Sequence, residues 1–451
     1  MLDFKAKSWL ESYLSLRQAH PLRPAAKAPL PNPLKKQAGE RFRSFHHPLY
    51  QCMQQSGIAF GFPLAYPFAD PRGLAQALPR ADLAKLILLD TLLYAVCLHE
   101  GEPAGDAYVA TVARFGRSLR RYYQQLHRSA HGQVQSFVED ILFQRVQYKK
   151  SYFDFRRSGV NSHLFWDIYG FQKYYQVAAL AAPGQAWFTA LIAEIKELKI
   201  LTLKVMAAAI HADWALTRQE RFLARHFKQS SRLFSPGERQ LVRSLLRMGP
   251  TVRDIQIPSG LGWPERRFLL DVGLIGVFAD ADIDLLENSM LQELAFRLSL
   301  TDDDLISSKA NLGLFLFQHG EQLRFYKARA AGAQLLWQAI AENMAKLGRA
   351  AKMEAVETRD MAVTFGRLLR RRIKPGSDTP LPDEVEIRAA MEQLKDLPRF
   401  LPFFSLMFMP VPGITELYII TALSLEKLSQ GKISLLPSQL RRQHNSKEEE
   451  E

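Results

Sequence analysis

Apolar residues recur with helical spacing along most of the chain. The segment from Ala81 to His99 is apolar with this period, and Ser136 to Tyr152 and Phe165 to Ala181 are further predicted helices. No segment shows a convincing alternation of apolar and polar residues, which is the pattern of a half-buried strand. The pattern therefore predicts an all-α fold.

The N-terminus combines a short helical pattern with a proline-rich segment. Trp9, Tyr13 and Leu16 fall on one helical face, which predicts an amphipathic helix within residues 1–19. The charges of Asp3 and Lys5 do not suit the apolar core of a signal peptide. Five prolines follow between residues 20 and 36, and this composition predicts an extended linker.

The middle of the chain repeats one unit. An apolar stretch ending in Ala-Asp occurs twice, at Leu201 to Asp213 and at Phe268 to Asp280. The helices that follow open on capping boxes, in which the first side chain accepts a backbone N–H and the acid three residues later bonds back. These openings are Thr217 with Glu220, Ser235 with Glu238, and Asp284 with Glu287, and the run from Thr301 to Asp304 starts one more helix. We therefore expect an internal duplication of a helical hairpin.

Breaks in the pattern suggest a multi-domain helical protein, as the length of 451 residues also does. We expect an amphipathic helix (1–19), a linker (20–36), an N-terminal helical domain (37–197), a duplicated helical domain (198–349), a C-terminal helical domain (350–445) and an acidic tail (446–451).

The segment from Phe400 to Leu425 is apolar and carries one charge, Glu416. It is long enough to span a membrane, but Pro410 and Pro412 divide it into pieces that are too short to cross. A carboxylate in the lipid core is costly. These features favour a buried helical hairpin, and re-entrant or peripheral membrane contact and a true span remain as alternatives.

The composition indicates a basic protein of a reducing compartment. The formal net charge is +13, which favours anionic partners such as RNA, DNA or anionic lipid. Cys52 and Cys97 are too few for a disulfide framework or a zinc cluster. We expect a cytoplasmic protein, either free in the cytoplasm or associated peripherally with the inner membrane.

Basic residues cluster in two regions. The tighter cluster ends a predicted helix and could contact phosphate groups, or it could complement the helix dipole as an ordinary charged surface. With one further arginine, the candidate nucleic-acid-binding residues are Arg367, Arg370, Arg371, Arg372, Lys374 and Arg399. A looser region begins at Arg114 and includes Tyr122 and Tyr123, whose rings would either stack on bases or belong to the core.

The densest acidic cluster comprises Asp280, Asp282, Asp284 and Glu287. An EF-hand loop also starts with alternate aspartates, but Leu285 stands where that loop needs glycine. Helix capping explains these acids, and binding of a divalent ion at the loop is the alternative.

Enzyme motifs are not recognisable. Gly431-Lys432 has no preceding glycine-rich loop and is followed by Ile433 instead of serine or threonine. His99-Glu100 does not continue into the zinc-protease pattern. Gly273 and Gly276 lie in an apolar helix, where close packing of helices explains them. We therefore expect no enzymatic activity and no cofactor.

Three short motifs stand out in the C-terminal block: the run LPRFLPF from Leu397 to Phe403, the turn from Pro410 to Glu416, and the sequence LLPS from Leu435 to Ser438. With these motifs the block resembles the ribosome-binding domain of the LETM family. The resemblance covers roughly the last 90 residues. The layout is most similar to the bacterial LETM-related biofilm-associated proteins, and the resemblance implies a ribosome as partner.

The middle block resembles the tellurite-resistance TerB-like helical domain through its doubled Ala-Asp and glutamate pattern. In that family such acids are linked to metal binding. The resemblance thus implies Asp213, Glu220, Asp280, Asp284 and Glu287 as candidate metal ligands.

These observations lead to one main hypothesis and two alternatives. The main one is a non-enzymatic protein that binds the ribosome or other RNA through a basic C-terminal helical domain. The alternatives are an adaptor at an anionic membrane surface in envelope, stress or biofilm biology, and a metal-responsive TerB-like stress protein.

Overall fold

Helices make up nearly all the regular structure in the part of the chain that the structure describes. The structure is a computed structural model, and it describes residues 2–24, 47–70, 73–131, 137–149, 158–180, 183–213, 216–232, 235–278, 285–320, 322–323 and 335. All of these fall in one compact unit. The predicted domain at 350–445, the tail at 446–451 and most of the predicted linker lie outside the described residues.

The element order confirms the all-α prediction. The helices are α1 (Trp9–Ala19), α2 (Pro48–Ser56), α3 (Leu74–Ala77), α4 (Arg80–His99), α5 (Gly105–His131), α6 (Val138–Val146), α7 (Leu164–Leu180), α8 (Gln185–Ala209), α9 (Arg218–Ser230), α10 (Pro236–Met248), α11 (Trp263–Val277), α12 (Leu285–Arg297) and α13 (Asp302–His319). Within the described ranges, two short 3₁₀ helices span Ile58–Phe60 and Val252–Asp254.

One antiparallel strand pair interrupts the helical pattern. Strand β1 (Gln147–Lys149) pairs with β2 (Ser158–Val160), and Gln147 lies opposite Val160. Each strand has three residues, which is too short for an alternating pattern to appear in the sequence.

Two of the three predicted capping boxes are present. Glu220 accepts the Thr217 N–H at 2.6 Å and donates its own N–H to Thr217 Oγ1 at 3.3 Å. An equivalent pair at Ser235 opens α10, and the predicted helix start at Thr301 also has a capping box, with Asp304, which opens α13. Asp284 of the third predicted box lies outside the described residues. The boxes satisfy N–H groups that the first helical turn leaves without partners.

Helix α11 lies at the centre of the core. Its residues from Arg267 to Val277 are buried, and it packs against α8, α12 and α13. A side chain at Gly276 would place its Cβ 2.7 Å from the Ala209 Cβ, and one at Gly273 would lie 2.6 Å from Leu294. The explanation of these glycines by close helix packing is therefore confirmed.

A buried polar network joins α11 to the N-terminal half of the chain. Asp271 on α11 accepts hydrogen bonds from Tyr50 at 2.6 Å, from Gln54 at 2.9 Å and from Ser308 at 2.5 Å. Helix α8 also runs without a break through the predicted domain boundary at residues 197 and 198. Residues on both sides of that boundary thus share one core. A helical pattern in a sequence predicts where a helix lies. It does not predict which other helices pack against the apolar face of that helix, because this depends on tertiary packing.

The predicted N-terminal amphipathic helix is present as α1. It packs on α5, and its apolar side chains Trp9, Leu10 and Tyr13 are buried. As folded, α1 therefore keeps its apolar face within the protein core. Among the described helices, none has the length and apolar character needed to cross a membrane.

Candidate nucleic-acid interface

Helix α9 carries its basic residues on one exposed face. Arg218, Arg221 and Arg225 are exposed and Lys228 is half-buried, with spacings of three, four and three residues. Residues at these spacings are neighbours on a helix surface. The opposite face is apolar and includes the fully buried Phe227. The sequence therefore orients α9 with its cations towards solvent.

Helix α10 repeats this arrangement. Arg239, Arg243 and Arg247 are four residues apart and all exposed, while Val242 is buried against the core. Both α9 and α10 pack on α8, which supports them from beneath. Pro236 at the first turn and the Ser235 capping box fix the start of α10.

The two basic faces are close in space. Lys228 on α9 has a lowered pKa because it is partly buried and because the charges of Arg243 on α10 and Arg225 on α9 repel its ammonium group. We call this set the α9–α10 basic surface. It comprises Arg218, Arg221, Arg225, Lys228, Arg239, Arg243 and Arg247.

Acidic side chains do not neutralise this surface. Helices α9 and α10 contain two acids, Glu220 and Glu238, and both close capping boxes. Glu220 is buried, and Glu238 pairs with Lys196 of α8. Among the residues that the structure describes, no ion pair involves the α9–α10 basic surface. It is thus a concentrated patch of positive charge available to an anionic partner.

Helix α10 also exposes two apolar side chains. Leu241 is 45% exposed and Met248 is 74% exposed, and they lie seven residues apart on α10. Their spacing places them on one side of the helix. With 3.6 residues per turn, that side points away from Arg239, Arg243 and Arg247, so the apolar pair is not part of the basic face.

The predicted basic cluster of the C-terminal block falls outside the structure. Arg367, Arg370, Arg371, Arg372, Lys374 and Arg399 are all outside the described residues, so they stay predictions.

The looser basic region lies partly on α5, and some of its arginines bond to acidic side chains. Arg114 bonds to Glu100, and Arg120 bonds to Glu11. Tyr122 and Tyr123 are fully buried in the core, so their rings are not available to stack on bases. The interpretation of these tyrosines as core residues is confirmed.

The candidate metal ligands do not assemble where the structure describes them. Glu220 and Glu287 are buried, and Glu220 is bonded within its capping box. Asp213 is half-buried after the end of α8, and Asp280 and Asp284 lie outside the described residues. No group of three metal-ligating side chains occurs within the described part of the chain.

A cleft of about 240 Å³ lies between α2, α7 and the start of α11. The Tyr50 hydroxyl donates to Asp271 at 2.6 Å, and Tyr169 and Lys173 both donate to Glu194 at 2.6 Å. Glu265 also lines the cleft, and its buried Oε2 has no hydrogen-bond partner. Burial raises the pKa of this carboxyl group.

Comparison of the chain with family models, curated proteins and solved structures gave no match. The function is therefore inferred from the geometry and charge of the molecule itself.

The sequence analysis did not single out the α9–α10 basic surface, although a signal was present. Basic residues recur at spacings of three and four through residues 218–247, and the two acids among them occupy capping positions. Capping glutamates are tied to the first turn, so they do not offset the charge of the exposed face. Counting the charges on each face of α9 and α10 separately would have identified the surface.

Proposed function

We propose that the protein is a non-enzymatic RNA-associated protein whose partner is the ribosome or a similar RNA-rich assembly. The observation that carries this proposal is the α9–α10 basic surface, in which seven cations of two adjacent helices lack acidic partners among the described residues. The overall charge of +13 and the resemblance of the C-terminal block to a ribosome-binding domain support the same partner.

The mechanism we propose is electrostatic docking on RNA phosphates. Arginine supplies a planar fork of donors that matches phosphate oxygens, and six of the seven residues are arginine. Each neutralised phosphate releases counterions, so binding weakens as salt rises. The predicted cluster from Arg367 to Lys374 would add a second set of phosphate contacts.

RNA is favoured over the two alternative functions. An adaptor at an anionic membrane would use the apolar face of α1 and the predicted apolar hairpin within residues 400–425. The α1 face is buried against α5, and residues 400–425 lie outside the described residues. A metal-responsive protein would use acids such as Glu220, which is bonded within a capping box. The proposal implies a cytoplasmic protein, with peripheral inner-membrane association as the variant.

The test is co-sedimentation of the purified full chain with ribosomes over a salt series. We expect association at low salt that falls steeply with added salt. The variant Arg239→Gln/Arg243→Gln/Arg247→Gln should bind roughly tenfold more weakly, because it removes three phosphate contacts. A charge-matched control on α5, Arg117→Gln/Arg121→Gln/Arg128→Gln, should bind nearly as the unmodified protein does.

Two results would overturn the proposal. Absence from ribosomes at low salt would exclude the partner, and flotation with anionic liposomes in the same experiment would replace it with a membrane adaptor. Equal loss in the α10 and α5 variants would show that binding is not specific to the α9–α10 basic surface.

A further inference from the structure

A second group of charges lies inside the protein, around Asp167 of α7. One carboxylate oxygen of Asp167 pairs with Arg145 and lies 3.7 Å from the Lys199 ammonium group. The other oxygen accepts a hydrogen bond from Asn161 at 3.0 Å. Asp167, Lys199 and Asn161 are all buried.

Positive charge exceeds negative charge in this cluster. Arg232, which follows α9, also acts electrostatically on Asp167 and donates to the Gln147 carbonyl at 3.0 Å. Three cations therefore surround one carboxylate among the described residues. Burial and the mutual repulsion of the cations lower the pKa of Lys199 to about 8, despite the attraction of Asp167. Uncompensated buried charge is costly, and proteins normally balance it.

The same region contains hydrogen-bond donors without acceptors. The hydroxyl groups of Tyr122 and Tyr123 and the Nε of Arg145 are buried and have no hydrogen-bond partner. Both tyrosines interact electrostatically with Asp167 and Arg145. Native proteins leave few buried polar groups unpaired. These three groups can donate, and they occur beside an excess of positive charge. His163 Nδ1 is also buried and unpaired nearby, and it is the acceptor nitrogen of its ring because Nε2 donates to the Phe227 carbonyl at 2.9 Å.

We propose that this cluster binds a small oxyanion, such as inorganic phosphate or sulfate, between Arg145, Lys199, Arg232 and the hydroxyl groups of Tyr122 and Tyr123. Such an anion would accept the unused hydrogen bonds and offset the excess charge. The burial of the cluster excludes the phosphodiester of a polymer, so the site is distinct from the α9–α10 basic surface. The inference is independent of the proposed function.

The test measures the bound anion and its effect on stability, without RNA. Protein purified in phosphate and then dialysed into chloride is denatured, and the released phosphate is quantified by ion chromatography. The thermal unfolding of the dialysed protein is then measured with sodium phosphate, sodium sulfate or sodium chloride at equal ionic strength. We expect either close to one released phosphate per chain or a midpoint several degrees higher in phosphate or sulfate than in chloride.

Tyrosine-to-phenylalanine variants locate the site. Tyr122→Phe/Tyr123→Phe keeps both rings and removes both hydroxyl groups, so the anion-specific effect should fall at least severalfold. The control is Tyr94→Phe, which removes a hydroxyl group from α4. The Tyr94 ring packs edge-on against Phe68 and not against a residue of the cluster, so this variant should keep the effect. If the double variant does not fold, Tyr123→Phe alone is compared with the same control.

Absence of both released anion and anion-specific stabilisation in the unmodified protein would overturn the inference. An effect that is undiminished in the tyrosine variants would also overturn it, because the anion would then bind elsewhere. Neither result bears on ribosome co-sedimentation, so failure of this inference and failure of the proposed function are distinguishable.

Discussion

The guanidinium of Arg17 donates to the carboxylate of Asp90 at 2.7 and 2.6 Å inside the core, and this pair ties α1 to α4. Asp90 also accepts from the hydroxyl groups of Tyr13 at 2.8 Å and Tyr66 at 2.7 Å. The carboxylate is fully buried, so these four donors replace its hydration. Helix α1 is therefore an integral part of the fold, although 73 residues separate the two partners.

Removing the cation of this pair should destabilise the protein strongly. Arg17→Ala leaves the Asp90 carboxylate buried without its counter-ion, which typically costs about 3–5 kcal/mol. The free energy of unfolding in a denaturant titration measures this loss. The matched control is Arg120→Ala, whose exposed pair with Glu11 also joins α5 to α1 and should contribute at most about 1 kcal/mol. Equal losses in the two variants would contradict the assigned role of Arg17.

The close approach of α11 and α8 gives a second prediction. Gly276→Ala would place a methyl group 2.7 Å from the Ala209 Cβ, so the helices must move apart, at a cost of about 1–3 kcal/mol. Gly237→Ala in the first turn of α10 meets no atom within 4 Å and serves as the control. It should be neutral or stabilising, because alanine favours a helix. Thermal unfolding of the two variants compares them directly, and a neutral Gly276→Ala would show that the interface is looser than described.

Local structure could be predicted from the sequence to a large extent. The boxes at Thr217, Ser235 and Thr301 mark helix starts because their hydrogen bonds join residues only three positions apart. Gly276 likewise signals a close contact by its place in an apolar helix. Such features depend on neighbours in sequence, so a single sequence contains the information.

Long-range packing could not be predicted in the same way. Asp271 and Tyr50 are 221 residues apart, and nothing in either neighbourhood identifies the other as its partner. The burial of Tyr122 next to the exposed Arg121 could not be predicted for the same reason, since it depends on which helices cover one face of α5. The α9–α10 basic surface was missed for the opposite reason, because its helices were interpreted through their caps and not through their exposed faces.

The buried imidazole of His163 predicts how stability depends on pH. Burial and the nearby Lys199 lower the pKa of His163 to about 3, against the opposing effect of its bond to the Phe227 carbonyl. The unfolded chain takes up a proton near pH 6.5, while the folded protein does so only near pH 3. This group's contribution to stability is complete above pH 6.5 and is lost as pH falls from that value to about 3.

The expected slope is about 1.4 kcal/mol per pH unit across that window for this residue. Asp167, whose pKa is lowered by Arg145 against the effect of burial, adds acid sensitivity in the same direction. The free energy of unfolding is therefore measured at pH 7 and at pH 4 for the unmodified protein, for His163→Gln and for a control, His20→Gln. The loss of stability between the two pH values is then compared among the three proteins. His163→Gln should lose less stability on acidification than the other two. A parallel pH profile in all three would show that His163 does not titrate as its burial requires.

The salt dependence of RNA binding gives the last prediction, because it counts phosphate contacts. For a single-stranded or duplex RNA ligand, the logarithm of the binding constant falls linearly with the logarithm of the salt concentration, with a slope of about 0.7 to 0.9 per contact. Arg239→Gln/Arg243→Gln/Arg247→Gln should reduce the magnitude of that slope by about 2 to 3, since each arginine is exposed and available to one phosphate. Fluorescence anisotropy with a labelled RNA over a salt series measures it. The α5 variant Arg117→Gln/Arg121→Gln/Arg128→Gln changes the net charge equally and should leave the slope nearly unchanged. A weaker α10 variant with the original slope would place the phosphate contacts outside α10.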